Sequence, residues 1–139
     1  MPMNNFRYIL LVEDDAVDVM TVQRCFKQLK VPTQLLVAKN GEEALLQLSK
    51  EGGLMPCIIL LDIDMPKMNG LELLQHLKNS AELKKIPVVM LTSSKEESDV
   101  SKCFELGVSG YLVKPVEYEQ FVKIIELFCG YWSKSELPR

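Results

Sequence analysis

The chain contains no apolar run longer than five residues and no Lys/Arg run longer than two. The first absence excludes a secretory-signal core and a membrane-spanning helix, which need about 7–15 and about 20 apolar residues respectively. With one positive side chain in Met1–Arg7, the protein is expected to stay in the cytoplasm. The second absence, together with a formal net charge of −3, leaves no electrostatic footprint for nucleic acid or an anionic membrane surface. The four cysteines, Cys25, Cys57, Cys103 and Cys129, show no CxxC spacing and fall in segments that read as core. Buried free thiols are therefore expected in place of a disulfide or zinc framework. Glycine and proline number seven each beside 47% hydrophobic residues, a balance that excludes collagen-like, low-complexity and disordered chains.

What is present is a regular alternation of short apolar runs with longer amphipathic stretches, the pattern of βαβ units around a buried parallel sheet. At 139 residues the chain has room for one domain, with a core over about residues 7–130, so an output module is expected on another protein. Five strands are predicted: Tyr8–Val12, Leu35–Ala38, Ile58–Leu61, Val88–Leu91 and Tyr111–Val113. Their near-continuous apolarity implies helices on both faces of the sheet. Helical stripes recur at Val19-Val22-Phe26-Leu29, Ala44-Leu45-Leu48, Leu71-Leu74-Leu77 and Phe121-Ile124-Ile125-Phe128-Trp132. Asn40-Gly41-Glu42-Glu43 and Asn69-Gly70-Leu71-Glu72 read as helix starts. The ends, Met1–Asn5 and Ser133–Arg139, are expected to fray.

In an open parallel α/β sheet, ligands bind outside the carboxyl ends of the strands. The first run ends in Glu13-Asp14-Asp15, the third in Asp62-Ile63-Asp64, the fourth in Thr92-Ser93-Ser94 and the fifth in Lys114-Pro115. Several carboxylates, a hydroxyl and an ammonium are thus gathered on one edge. Crowded carboxylates raise one another's pKa unless a cation neutralises them, and hard oxygen ligands suit Mg²⁺. The same set prepares Asp62 as a nucleophile toward phosphorus, with Lys114 offsetting charge and Thr92 donating a hydrogen bond.

These residues, in this order at these strand ends, resemble the receiver domain of two-component response regulators, over about residues 7–130. The resemblance implies a flavodoxin-like α/β fold, doubly wound, with strand order 2-1-3-4-5 and helices on both faces. It implies Asp62 as phospho-acceptor within Leu61-Asp62-Ile63-Asp64-Met65-Pro66. Asp14 would be a direct Mg²⁺ ligand, Glu13 a water-mediated one, and the main-chain carbonyl of Asp64 a further ligand. Thr92 and Tyr111 would be switch residues, and Lys114 would pair with the phosphoryl group, aimed by a cis peptide before Pro115. Leu83-Lys84-Lys85-Ile86-Pro87, Asp18 after the first acids, and Tyr131-Trp132 are similar to stand-alone receivers of bacterial phytochrome kinases. The implied partners are a histidine kinase, of bacteriophytochrome type on the narrower match, or a phosphotransfer protein, and a downstream protein that reads roughly Glu96–Tyr111.

Blander roles compete at several positions. Asp15 reads as a helix N-cap in preference to a ligand, and His76, mid-helix, as a solvated residue in preference to a phosphohistidine, so the phosphoryl donor must come in trans. Tyr111 divides between a rotating switch and a fixed half-buried aromatic. The Asp64 side chain suits either the pocket or solvent. Val17, Met20 and Arg24 form a candidate kinase-docking face, and Phe128, Tyr131 and Trp132 suit a homodimer, a partner contact or the chain's own core. Two other functions compete with this one. Ile58–Asp64 also resembles the nucleophile motif of haloacid-dehalogenase-type phosphatases, with Asp64 as acid, but Met65-Pro66 departs from that motif, the acidic pair precedes the nucleophile instead of following it, and no cap is expected within 139 residues. A receiver-like module that binds partners without phosphorylation is the other.

Overall fold

The computed structural model describes residues 8–50 and 55–134, with side chains described through residue 130. Strands β1 (Tyr8–Val12), β2 (Gln34–Ala38), β3 (Ile58–Leu61), β4 (Val88–Thr92) and β5 (Gly110–Val113) alternate with helices α1 (Ala16–Gln28), α2 (Gly41–Leu48), α3 (Gly70–Asn79), α4 (Glu97–Glu105) and α5 (Tyr118–Lys134). All pairings are parallel and the order is β2-β1-β3-β4-β5. The expected strands are all present, three of them one residue longer than their apolar runs. Helix α5 runs through Lys134, so Ser133 and Lys134 continue the helix where fraying was expected. The expectations for Met1–Asn5, for residues 135–139 and for the Tyr131 and Trp132 side chains lie outside the described residues.

Strand alternation divides the apolar residues into two cores. Leu10, Val12, Ile59, Leu61, Val88 and Met90 pack with Ala44, Leu48, Leu73, Leu74, Leu77 and Cys103, on the side of α2, α3 and α4. Ile9, Leu11, Ile58, Leu60, Val89 and Leu91 pack with Val22, Cys25, Phe26, Phe121, Ile125 and Phe128, on the side of α1 and α5. The third helix buries Leu73 beside the expected Leu74 and Leu77, while Leu71 is only partly covered. Cys25, Cys57 and Cys103 are buried and Cys129 half-buried, none of them in a disulfide.

Helix starts follow from local hydrogen bonding. The Asp15 carboxylate accepts from the N–H groups of Val17 and Asp18, which caps α1. Asn40 caps α2 through the Glu43 N–H, and Asn69 with Glu72 forms a reciprocal capping box on α3. Gly107, with φ +89°, turns the chain out of α4, its N–H and that of Val108 donating to Phe104 and Cys103 carbonyls.

Gly70 is the tightest point of the β3–α3 connection. Its N–H donates to the Ile63 carbonyl, and a Cβ there would stand 2.1 Å from the Asp62 carbonyl oxygen. Backbone cannot swing aside as a side chain does, so Gly70→Ala is expected to destabilise the protein by about 3 kcal/mol and to displace the loop that carries Asp62. Urea unfolding checks the first effect; a wild-type midpoint would show that the loop has slack.

Candidate functional site

The carboxyl ends of β1, β3 and β5 meet at one edge, and strand parity decides what each contributes. Glu13 continues the Leu11 side of β1, Asp62 the Leu60 side of β3 and Lys114 the Leu112 side of β5, so all three extend toward α1. The backbone holds them there: Glu13 N–H donates to Ala38 O (2.9 Å), Asp62 N–H to Val12 O (3.1 Å) and Lys114 N–H to Thr92 O (2.8 Å). No cis peptide occurs among the described residues, which corrects the expectation at Pro115. Lys114 enters the pocket because its N–H still follows the β4–β5 ladder, leaving its side chain on the α1 face.

Glu13, Asp14 and Asp62 each offer a carboxylate oxygen within 4.8 Å of the others. Glu13 and Asp62 are buried and Asp14 is exposed. Lys114 Nζ lies 2.5 Å from Glu13 Oε1, 2.8 Å from Asp18 Oδ2 and 3.3 Å from Asp62 Oδ2. The contact with Asp18 supplies a site residue that strand-end reading missed. Its signal was an acid one turn into α1, on the same side as the acids that precede the helix. The other Asp62 oxygen, Oδ1, is buried without a hydrogen-bond partner.

Burial pushes the Glu13 carboxyl up to about 8, with the Lys114 hydrogen bond opposing and the Asp62 charge adding to the rise. Burial also works against the Lys114 ammonium, but hydrogen bonds to Asp18 and Glu13 and the attraction of Glu13 and Asp62 outweigh it and raise its pKa. A surplus of carboxylate around one ammonium, an unpartnered buried oxygen and an all-oxygen donor set fit a hard divalent cation.

Thr92 and Tyr111 occupy the opposite parity, on the α3–α4 side. Thr92 is fully buried. Tyr111 is half-buried against the core and donates its hydroxyl to the Ser94 carbonyl at 2.9 Å. Ser94 in turn donates to Asp99 Oδ2 at 2.6 Å, so the aromatic is tied to the start of α4. The Asp64 side chain is exposed. It borders a cleft of about 300 Å³ with Asp14, Met65 and Asn69, and another of about 580 Å³ with Ser93, Ser94 and Asp99. His76 is exposed, as expected. Val17 and Met20 are exposed, whereas Arg24 lies over the Tyr118 ring at 4.1 Å and is engaged with α5.

A family model for the response regulator receiver domain matches residues 9–126. The chain belongs to this family, and it is a receiver-domain response regulator of two-component signalling. The response regulator Rcp1 of Synechocystis sp. is 35% identical over 133 residues, covering 93% of this chain and 90% of that protein. A crystal structure of its Mn²⁺-bound form superposes with a TM-score of 0.88 at 35% identity, over 96% of this chain and 99% of the other. The phosphorylated cyanobacterial phytochrome response regulator RcpA gives a TM-score of 0.89 at 33% identity, again over 96% and 99% of the two chains. The bacteriophytochrome response regulator AtBRR gives 0.73 at 43% identity, over 87% and 91%. The family match replaces the haloacid-dehalogenase alternative.

Because folding raises the Glu13 pKa, its protonated form favours the folded state: metal-free stability is greatest below about pH 4.5 as far as Glu13 contributes, and falls as pH rises to about 8. Glu13→Gln should remove this component of the slope in urea unfolding with chelator, and an unaltered slope would refute the assignment. Lys114→Ala strands buried carboxylates and should lower metal-free stability by about 3 kcal/mol, with saturating Mg²⁺ restoring part of it. Denaturation with and without Mg²⁺ measures both.

Proposed function

We propose that Asp62 is the phospho-acceptor of this response regulator and that the chain works as one receiver unit. The observation that carries the reading is the Asp62 carboxylate itself: one oxygen is 3.3 Å from Lys114 Nζ and the other is buried with no partner, beside Glu13 and Asp14. An oxygen held this way is available to attack phosphorus. In the reaction a P–O bond forms to Asp62 and the P–N bond of a kinase phosphohistidine breaks, its electron pair leaving with the ring as neutral imidazole when the second ring nitrogen carries a proton.

Asp14 and Asp62 would hold Mg²⁺ directly, Glu13 through water, and the Asp64 main-chain carbonyl would complete the protein's share. When bound, Mg²⁺ supplies positive charge against the carboxylates and the phosphoryl oxygens. Lys114 pairs with one phosphoryl oxygen, and the Thr92 hydroxyl donates to another. Tyr111, tied now to Ser94, is the element whose position the Thr92 contact biases, through a shift between pre-existing states. The surface from Glu96 to Tyr111, which carries the half-exposed Phe104, is the readout face toward a downstream protein or a second copy. No helix among the described residues is long and apolar enough to cross a membrane, and the cytoplasm is the proposed location. The proposed phosphoryl donor is a histidine kinase, of phytochrome type by similarity to RcpA and AtBRR, docking on Val17 and Met20, or a phosphotransfer protein. The chain's own chemistry ends with slow loss of the phosphoryl group and involves no multiple-turnover hydrolysis.

Intact-protein mass after incubation with acetyl phosphate tests the assignment. One Mg²⁺-dependent phosphoryl adduct is expected on the wild type and none on folded Asp62→Asn; elution on a sizing column reports dimerisation. A mutant labelled to wild-type stoichiometry would sink it. Rapid multiple turnover of acetyl phosphate would instead establish a phosphohydrolase.

A further inference from the structure

The Lys114 ammonium has three N–H bonds, and three carboxylates already surround it. Their distances run opposite to what a residue dedicated to Asp62 would show: Glu13 at 2.5 Å, Asp18 at 2.8 Å and Asp62 at 3.3 Å. Two of the ammonium's N–H groups donate hydrogen bonds, to Glu13 and Asp18, and Asp62 is reached only as an ion pair, so a move of the ammonium toward a phosphoryl oxygen on Asp62 stretches one of those two bonds. The Glu13 side chain is 2% exposed and has no water to replace Lys114 as a partner, whereas the Asp18 side chain is 30% exposed and regains water on release. Asp18 is held in place independently of Lys114, because Asp15 Oδ1 accepts its N–H at 3.2 Å and caps α1.

We propose that Asp18 is a positioning residue that tethers Lys114 toward α1 in the unphosphorylated protein and is exchanged for the phosphoryl group when Asp62 is modified. This rests on the reading of Asp62 as acceptor. The tether competes with the phosphoryl group for one ammonium, so each weakens the other's hold, and the coupling is reciprocal. It also gives the first turn of α1, beside the exposed Val17 and Met20, a state-dependent ion pair. An aspartate in the first turn ordinarily serves the helix dipole, and Asp15 provides the comparison, being an acid in the same turn with no contact to Lys114 among its described hydrogen bonds.

The test uses beryllofluoride, which binds a carboxylate oxygen as a phosphoryl mimic, titrated calorimetrically with Mg²⁺ into wild type, Asp18→Asn and Asp15→Asn. Asp18→Asn is expected to bind roughly three- to tenfold more tightly, with Asp15→Asn close to wild type. The ¹⁵N resonance of Lys114 Nζ in the ligand-free protein should shift in Asp18→Asn and stay in place in Asp15→Asn, a signature that a purely helix-stabilising acid would not produce. Unchanged or weaker binding in Asp18→Asn, an equal gain in Asp15→Asn, or an unmoved Lys114 resonance would each overturn the tether. Absence of both beryllofluoride binding and acetyl-phosphate labelling in the wild type would instead remove the acceptor reading, while the Lys114 resonance would still report the tether.

Discussion

Carboxylates brought together at the end of a parallel sheet repel one another, and the rest of this site is arranged around that repulsion. Glu13 and Asp62 are buried at the ends of neighbouring strands with Asp14 beside them, and Lys114 from the far strand places one ammonium among them. Its contacts with Glu13, Asp18 and Asp62 lower the cost of burial without cancelling the negative charge. The remainder suits a divalent cation, and the unpartnered oxygen of Asp62 is what supports the proposal that it accepts a phosphoryl group. A pocket fully neutralised by its own side chains would be more stable and would have less to do.

The same sheet divides the polar strand-end residues by parity. Residues that continue one side of β1, β3 and β5 become the acids and the ammonium facing α1, while Thr92 and Tyr111 fall on the α3–α4 side. Tyr111 reaches the Ser94 carbonyl, and Ser94 reaches Asp99 at the start of α4. On the proposed reading of Asp62 as acceptor, an event there would have two short physical routes outward: through Lys114 and Asp18 into α1, and through Thr92 and the β4–α4 connection into Tyr111. Neither would need a large motion, because each would consist of polar contacts that exchange partners over the edge of a doubly covered sheet.

Most of the fold was legible in the chain. Five apolar runs of three to five residues, each followed by an amphipathic stretch, leave few arrangements other than a parallel sheet covered on both faces, and Asn40 and Asn69 announced their helices through side chains suited to capping. The site was legible as a set of strand ends, since Glu13, Asp62, Thr92 and Lys114 each terminate an apolar run. Leu73 was less visible because a helix face about 100° wide or more admits a second residue beside the i, i+3 series. Asp18 was not visible as a site residue because an acid in a first turn already has an ordinary explanation. A cis bond was not needed to aim Lys114, as the strand ladder runs on to its N–H.

Element type, strand count and the identity of the strand-end residues were determined by sequence alone, because hydrophobic period, capping chemistry and the ends of apolar runs are local properties. Which carboxylates are buried, and which of them hold Lys114, was decided only in the tertiary structure. Those outcomes depend on burial and on distances of a few ångströms between residues as far apart in sequence as Glu13 and Lys114. Desolvation and Coulomb attraction both change steeply over such distances, and no local pattern encodes them.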